Sequence, residues 1–388
     1  MAAETQRRRA TGLAEPNGHS RRVRLHEEIL APALDPSTPL ALRSARRAIA
    51  MLVAGLILIQ LISAPVGHWL NSVARSGTDA YSEWQQYVST PVPDVLVIGA
   101  STARTDVDEA GLAAELSTAS GRRATVEKLG FSGQTPLFLD ALMYRIMKRS
   151  SHPKLIVVAL AGPELNDGCT VCLYSVTGGL WDISDLTDPG FVRLALQLDP
   201  NPALLAAGWV FPALAYYPSV IALQCLAVDY GRAGALATLG RVPRQLQNPT
   251  TCEGGAAYKW ARQTAMTQSD YQLSIDLYGG VMLDYQVSSE TESSVKDMVA
   301  RARDAGTNVV FLETPLQSKV RSLFPEAIQT YEQHLRILAS SMNTGVLDLS
   351  SSVPDDPTLW VDSVHLDRAG ADYMESLLAH QLLPYFDS

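Results

Sequence analysis

Short continuous apolar runs recur along the chain, each bounded by polar or glycine-bearing segments. They are Asp94-Val-Leu-Val-Ile-Gly99, Ala124–Leu129, Lys154–Ala161, Thr307–Glu313 and Gly345–Leu349. Runs that do not alternate with polar residues predict strands buried on both faces, as in a parallel sheet. Between them, apolar positions recur at helical spacing over about 108–119, 135–150, 290–305, 325–342 and 367–383. Gly306 and Gly345 are the expected stops of two of these helices. Strands alternating with helices predict an α/β fold of three layers, a parallel sheet covered on both faces, over residues 94–388. Residues 168–288 break the alternation and read as one large insertion, and residues 71–93 read as a stalk. In such a fold the reacting residues are expected at the carboxyl ends of the strands.

One apolar run has a different length. No formal charge occurs from Ala48 to Trp69 with His68 neutral, and Ala48–Ala64 is almost entirely aliphatic. That length matches one crossing of a hydrocarbon layer of about 30 Å. Arg43, Arg46 and Arg47 precede it, which predicts a cytoplasmic N-terminus and an uncleaved signal anchor over residues 48–70. A cleaved signal peptide is the alternative, but its basic segment would be unusually long here and its apolar run exceeds the usual length. Residues 1–47 read as a disordered cytoplasmic tail, and residues beyond about 70 as extracytoplasmic. A second uncharged stretch, Pro200–Val228, is interrupted by Pro212 and Pro218 and carries Tyr216 and Tyr217 in its middle. A broken helical pair is expected there, staying on the outer side and turning Trp209 and Phe211 toward the bilayer or a membrane partner. Burial against the core of the insertion is the alternative.

Apolar residues make up 47% of the 388 and charged residues 18%, which excludes wholesale disorder. Residues 1–47 hold nine Arg against five acidic residues, while the remainder sets 22 basic against 35 acidic. The net charge of −9 therefore divides into a basic tail and a strongly acidic body. Such a body argues against nucleic acid as a partner. Cys169, Cys172, Cys225 and Cys252 all fall in the insertion. The Cys-x-x-Cys spacing invites zinc or redox chemistry, but zinc usually needs a second close pair. An oxidising compartment favours disulfides, with 169–172 and 225–252 the expected pairing.

Four blocks carry candidate chemistry. Ser101 follows the first strand within Gly99-Ala-Ser-Thr-Ala-Arg104. The small residues permit a tight strand-to-helix turn that lifts its hydroxyl to the strand's carboxyl end, with its own N–H available to an oxyanion. A helix-capping serine is the plainer reading. Gly130-Phe-Ser-Gly133 follows the second strand, and Gly133 could offer a backbone N–H to the same oxyanion. Gly162-Pro-Glu-Leu-Asn166-Asp167 follows the third, and Asn166 could donate a side-chain N–H. Asp362-Ser-Val-His365 precedes the last helix; a carboxylate three residues before a His can orient the imidazole and stabilise its charged form. Arg104 could bind an acidic sugar or phosphate, although an ion pair with Asp106 or Asp108 is the favoured alternative.

These blocks, in this order, resemble the SGNH (GDSL-like) hydrolase superfamily over about residues 94–166 and 307–384. Trp360-Val-Asp-Ser-Val-His-Leu-Asp-Arg-Ala-Gly-Ala371 is the most specific part. The resemblance implies Ser101 as nucleophile, His365 as base, Asp362 as its partner and Gly133 as an oxyanion donor. The first block reads Gly-Ala-Ser rather than Gly-Asp-Ser, and Gly162 and Asn166 stand four apart where the family has Gly-x-Asn. With a signal anchor, the chain looks like the membrane-anchored proteins of bacterial envelope O-acylation, which often work beside a polytopic membrane-bound O-acyltransferase. That likeness implies a serine esterase or O-acyltransferase acting on an envelope polysaccharide or other acylated glycan. It would be a single-pass protein of the bacterial inner membrane, needing no metal or organic cofactor. A non-catalytic accessory subunit of such an acyltransferase is the second expectation, and a lipase or thioesterase the third.

Overall fold

The computed structural model describes residues 45–55, 57–58, 79–131, 134–166, 188–198, 272, 275–276, 278–279, 282 and 285–387. Residues 45–55 are helical, and Ile49, Met51, Leu52 and Val53 on that helix are exposed. Among the described residues no helix is long and apolar enough to cross a membrane. Most of the expected anchor, the four cysteines, Pro200–Val228 with Trp209 and Phe211, and Gly133 lie outside the described residues.

Five parallel strands form one sheet in the order β2-β1-β3-β4-β5. They are β1 (Val95–Gly99), β2 (Val126–Gly130), β3 (Leu155–Leu160), β4 (Asn308–Glu313) and β5 (Gly345–Asp348). All agree with the predicted runs to within two residues. β1 and β3 lie inside the sheet and are buried along their whole length, which is why their sequences do not alternate. Their side chains still divide by parity. Leu96 and Ile98 enter one hydrophobic cluster, and Val95 and Val97 enter the other on the opposite face.

The helices of the main body are α1 (Asp79–Ser89), α2 (Ser101–Asp106), α3 (Glu109–Ser120), α4 (Pro136–Met147) and α5 (Pro189–Leu198). After the insertion come α6 (Ser289–Asp304), α7 (Ser318–Leu323), α8 (Pro325–Ser341) and α9 (Arg368–Phe386). The cluster with Leu96 takes Leu139 and Leu142 of α4, Val295 and Met298 of α6, and Tyr331 and Leu335 of α8. The cluster with Val95 takes Leu112 and Leu116 of α3 and Met374, Leu378 and Leu382 of α9. Each large aliphatic side chain so buried contributes about 1.5–3 kcal/mol.

Local signals account for several helix ends. Asp108 caps α3 by accepting from Gly111 N, and Ser288 caps α6 by accepting from Thr291 N. Glu290 and Glu292 open α6 while Arg301 and Arg303 close it, matching the helix dipole. Gly306, at φ +77, follows α6 as expected. The end of α8 departs from expectation. Asn343 takes the left-handed position at φ 52, and Gly345 is the first residue of β5. Gly345 is small for another reason: a Cβ there would lie 2.1 Å from Tyr385 Oη.

Part of the expected stalk packs on the main body. Within residues 71–93, α1 docks on the sheet through Trp84 and Tyr87, both buried in the main cluster. Their rings are further covered by Arg145 and Arg149. Two aromatic side chains among polar neighbours make too sparse an apolar pattern to mark this segment as part of the core.

Candidate active site

The first element of the site is the turn that carries Ser101. A Cβ at Gly99 would lie 2.4 Å from Ala159 O and 2.8 Å from Ala103 Cβ. Only glycine lets β1 end that close to β3 and pass straight into α2. Ala100 is extended, and Ser101 is the first residue of α2. Gly130 makes the second close approach, since a Cβ there would meet Arg104 N at 2.6 Å and Arg104 Cα at 2.7 Å. The short helix can therefore lie across the end of β2, leaving Ser101 at the carboxyl end of the sheet.

The second element is the loop between β5 and α9. Trp360 pairs with Leu366 in an antiparallel bridge, and Val361 N donates to His365 O at 2.8 Å. The Trp360 indole is buried and donates to Pro354 O at 2.8 Å. Asp367 caps α9 by accepting from Gly370 N. These bonds fold residues 360–366 into a tight clamp around Asp362 and His365.

The two elements meet in a relay. Asp362 Oδ1 accepts from Val364 N and His365 N, each at 2.9 Å. Asp362 Oδ2 lies 2.7 Å from His365 Nδ1, and His365 Nε2 lies 2.8 Å from Ser101 Oγ. Burial opposes ionisation of Asp362, yet the His365 charge and the bonds from His365 and Val364 outweigh it and hold its pKa below the usual carboxylate value. Burial likewise opposes a charged imidazole. The carboxylates of Asp362, Asp106 and Glu164 overcome it and raise His365 to about 9. A carboxylate, an imidazole and a hydroxyl in line can move a proton off the hydroxyl.

Two of those acids are site neighbours that the sequence did not single out as such. Asp106 stands in the sequence as an ion-pair partner for Arg104, but its Oδ1 accepts from Leu366 N at 2.9 Å. Glu164 lies in the short 3-10 turn Gly162–Leu165 after β3 and accepts from Ala161 N. Burial pushes both carboxyls up to about 7, with His365 acting against the shift in each. Their proximity to His365 arises from strand order, not from any local motif.

The remaining predicted residues are placed differently. Asn166 is buried at the end of the 3-10 turn, and its Oδ1 accepts from Gln286 N at 2.9 Å. That bond fixes the plane of the amide and ties the third block to the end of the insertion. Arg104 is buried and lies 3.8 Å from the Glu83 carboxylate of α1, an ion-pair partner other than the two expected. It lines a pocket of about 450 Å³ with Glu83, Asp108, Glu127 and Lys128, whose lining includes neither Ser101 nor His365. Val364, next to His365 in the chain, belongs to a third hydrophobic cluster that also takes Tyr278 and Met282 of the insertion and Leu316.

No family model matches the chain, and no curated protein matches it. Among solved structures, a protein of Bacteroides fragilis NCTC 9343 described as a "putative acylhydrolase" is similar at 15% identity and a TM-score of 0.34. The similarity covers 78% of this chain and 94% of that one. At that level it carries no weight beside the geometry of the relay.

Proposed function

We propose that the protein is a serine-dependent esterase or O-acyltransferase of the SGNH type. The observation that carries this reading is the relay from Asp362 Oδ2 to His365 Nδ1 at 2.7 Å and from His365 Nε2 to Ser101 Oγ at 2.8 Å. Ser101 Oγ attacks the acyl carbonyl while its proton passes to His365 Nε2, giving a tetrahedral oxyanion. The bond to the leaving alcohol breaks as His365 returns the proton to that oxygen. Water or a sugar hydroxyl then attacks the acyl-Ser101 ester, again giving its proton to His365, and Ser101 recovers it. Asp362 holds the imidazole in the tautomer that accepts at Nε2. The Ser101 N–H and Gly133 N–H are the oxyanion donors in this scheme, with Asn166 a third.

The acyl acceptor in this proposal is a hydroxyl of an envelope glycan, and the protein sits in the inner membrane with its N-terminus in the cytoplasm. Support comes from Arg43, Arg46 and Arg47 before the uncharged Ala48–Trp69 run, and from the exposed apolar side chains of the helix at 45–55. A polytopic membrane-bound O-acyltransferase would supply the acyl group from the other side. An intact relay favours an enzyme over a purely accessory subunit, because a docking role alone needs no imidazole bonded to a serine hydroxyl.

The test is hydrolysis of an activated acetyl ester by the full-length protein in detergent, wild type against Ser101→Ala. Loss of ester cleavage and of labelling by a fluorophosphonate in the variant supports the assignment. Equal rates in the two proteins end it. A C-terminal phosphatase fusion reports the topology, and an inactive fusion would reverse the assigned orientation.

A further inference from the structure

The proposed reaction uses the Ser101, His365 and Asp362 side chains and leaves Asp106 without a part. Asp106 is the last residue of α2, the helix that begins at Ser101, and it is 0% exposed. Its Oδ1 accepts from Leu366 N at 2.9 Å and from Thr105 Oγ1 at 2.7 Å. The Leu366 N–H belongs to the peptide unit whose carbonyl is His365 O. That carbonyl is itself held by Val361 N at 2.8 Å. The peptide immediately after His365 is thus held at both ends, once within its own loop and once by the helix of Ser101. Beside the bond between His365 and Ser101, it is a second tie between that helix and that loop.

We propose that Asp106 is a positioning residue for the reaction: it docks the His365 loop onto the Ser101 helix and so sets the distance from His365 Nε2 to Ser101 Oγ. The proposal rests on the serine-nucleophile reading and deepens it. Two observations point to a role beyond packing. Nucleophile and base stand 264 residues apart in sequence, so something must fix their relative position across separate elements. Further, Asp106 Oδ2 is buried with no hydrogen-bond partner among the described residues, a costly arrangement where an apolar side chain of similar size would fill the space. The groups facing His365 are Asp362 from its own loop, Asp106 from α2, Glu164 from the 3-10 turn and the Ser101 hydroxyl. Asp106 therefore adds negative charge beside the ring as well as a fixed acceptor.

The two contributions separate by substitution. Asp106→Asn keeps an acceptor at the Oδ1 position and removes the charge, while Asp106→Leu removes both. Steady-state kinetics on an activated acetyl ester should show kcat of Asp106→Leu down by on the order of 10²-fold with KM nearly unchanged, as misplacement of a reacting pair by about 1 Å would give. Asp106→Asn should keep kcat within about tenfold of wild type at alkaline pH, because the acceptor survives. Its pH–rate limb should move toward acid, since a negative neighbour of the imidazole is gone. A limb that stays in place, or an Asn variant as impaired as the Leu variant, overturns the proposal. So does a folded Asp106→Leu protein with wild-type kcat. Should Asp106→Leu fail to fold, the Asn variant decides alone through its kcat and its limb. Ser101→Ala run alongside distinguishes the failures: if it too is fully active, the serine reading has failed; if it is dead, only the role of Asp106 has.

Discussion

Replacing Asp362 by Asn probes the relay at its most specific point. The carboxylate does two things at once. Oδ1 accepts two backbone N–H groups at 2.9 Å, and Oδ2 accepts the imidazole N–H at 2.7 Å. An Asn has one oxygen for these two tasks. Facing that oxygen to the ring would turn an NH₂ group against Val364 N and His365 N. That forfeits two bonds of about 1 kcal/mol each and leaves buried donors unsatisfied at roughly 1–3 kcal/mol apiece. The oxygen therefore stays on the backbone and the NH₂ group meets His365 Nδ1. Nδ1 must then accept, and the ring proton moves to Nε2, which donates to Ser101 Oγ instead of accepting from it. The base is lost although nothing has moved. The same exchange of tautomer in a serine-protease triad costs about 10⁴-fold in kcat, which is about 5.5 kcal/mol of barrier. The assay is ester hydrolysis by the full-length protein, with thermal melting as the control for folding and nitrogen-edited NMR of the His365 ring for the tautomer. An Asp362→Asn protein that melts like wild type and keeps more than about a tenth of its kcat/KM would refute the tautomer argument.

Four further outcomes are expected. Ser101→Ala and His365→Ala should each remain folded and lose ~10³-fold or more in kcat, as triad members do; full activity in either would remove that residue from the mechanism. With His365 raised to about 9, kcat/KM should climb through neutral pH and level off only in the alkaline range; a limb at the ordinary imidazole value would contradict the carboxylate surroundings described. The same shift acts on stability with opposite sign: a raised imidazole stabilises the fold fully below about 6.5 and loses that contribution as pH rises through about 9, so melting temperature should fall while activity rises. Gly130→Ala should cost about 1–3 kcal/mol, because the added methyl meets Arg104 backbone, and a variant melting with wild type would show that α2 can shift freely.

Much of the fold was legible because burial writes itself into these strands. A run such as Leu155–Leu160 admits few readings besides a strand covered on both sides, and all five strands and their flanking helices lie close to where the pattern put them. What was hidden depended on tertiary contact. The docking of α1 rests on Trp84 and Tyr87, two buried rings in a polar segment. Glu83, an ion-pair partner of Arg104, lies 21 residues upstream, whereas a local reading favours Asp106 or Asp108. The residues of the relay were legible as two separate motifs, each weak alone. Their meeting follows from strand order: β1 lies inside the sheet, β5 is at its edge with β3 and β4 between them, and the loop after β5 must reach back to touch Ser101. Asp106 and Glu164 left no local trace, because a buried acid is recognised by its surroundings and not by its neighbours in sequence.

Glu313, another buried acid, gives a prediction away from the relay. It ends β4 at the carboxyl end of the sheet, the same end as the site, it is 1% exposed, and neither of its carboxyl oxygens has a hydrogen-bond partner among the described residues. Burial raises it to about 8, and the negative Asp348 and Glu332 add to the shift against Arg336 and Arg321. The native state therefore keeps a proton that the unfolded chain releases at its ordinary value of 4.5. Between about 4.5 and 8 the unfolded state binds fewer protons than the native one, so this group makes stability fall as pH rises. Above about 8 both states have lost the proton and the loss is complete. Glu313→Gln preserves the shape, presents a neutral group at every pH and has no such slope. The variant should therefore match wild type in melting temperature at acid pH and exceed it by a margin that grows toward pH 8. Melting curves across that range are the measurement. A constant difference between the two proteins, at acid and alkaline pH alike, would mean that Glu313 is already ionised in the fold and has found partners that its burial near Tyr278 and Tyr331 does not reveal.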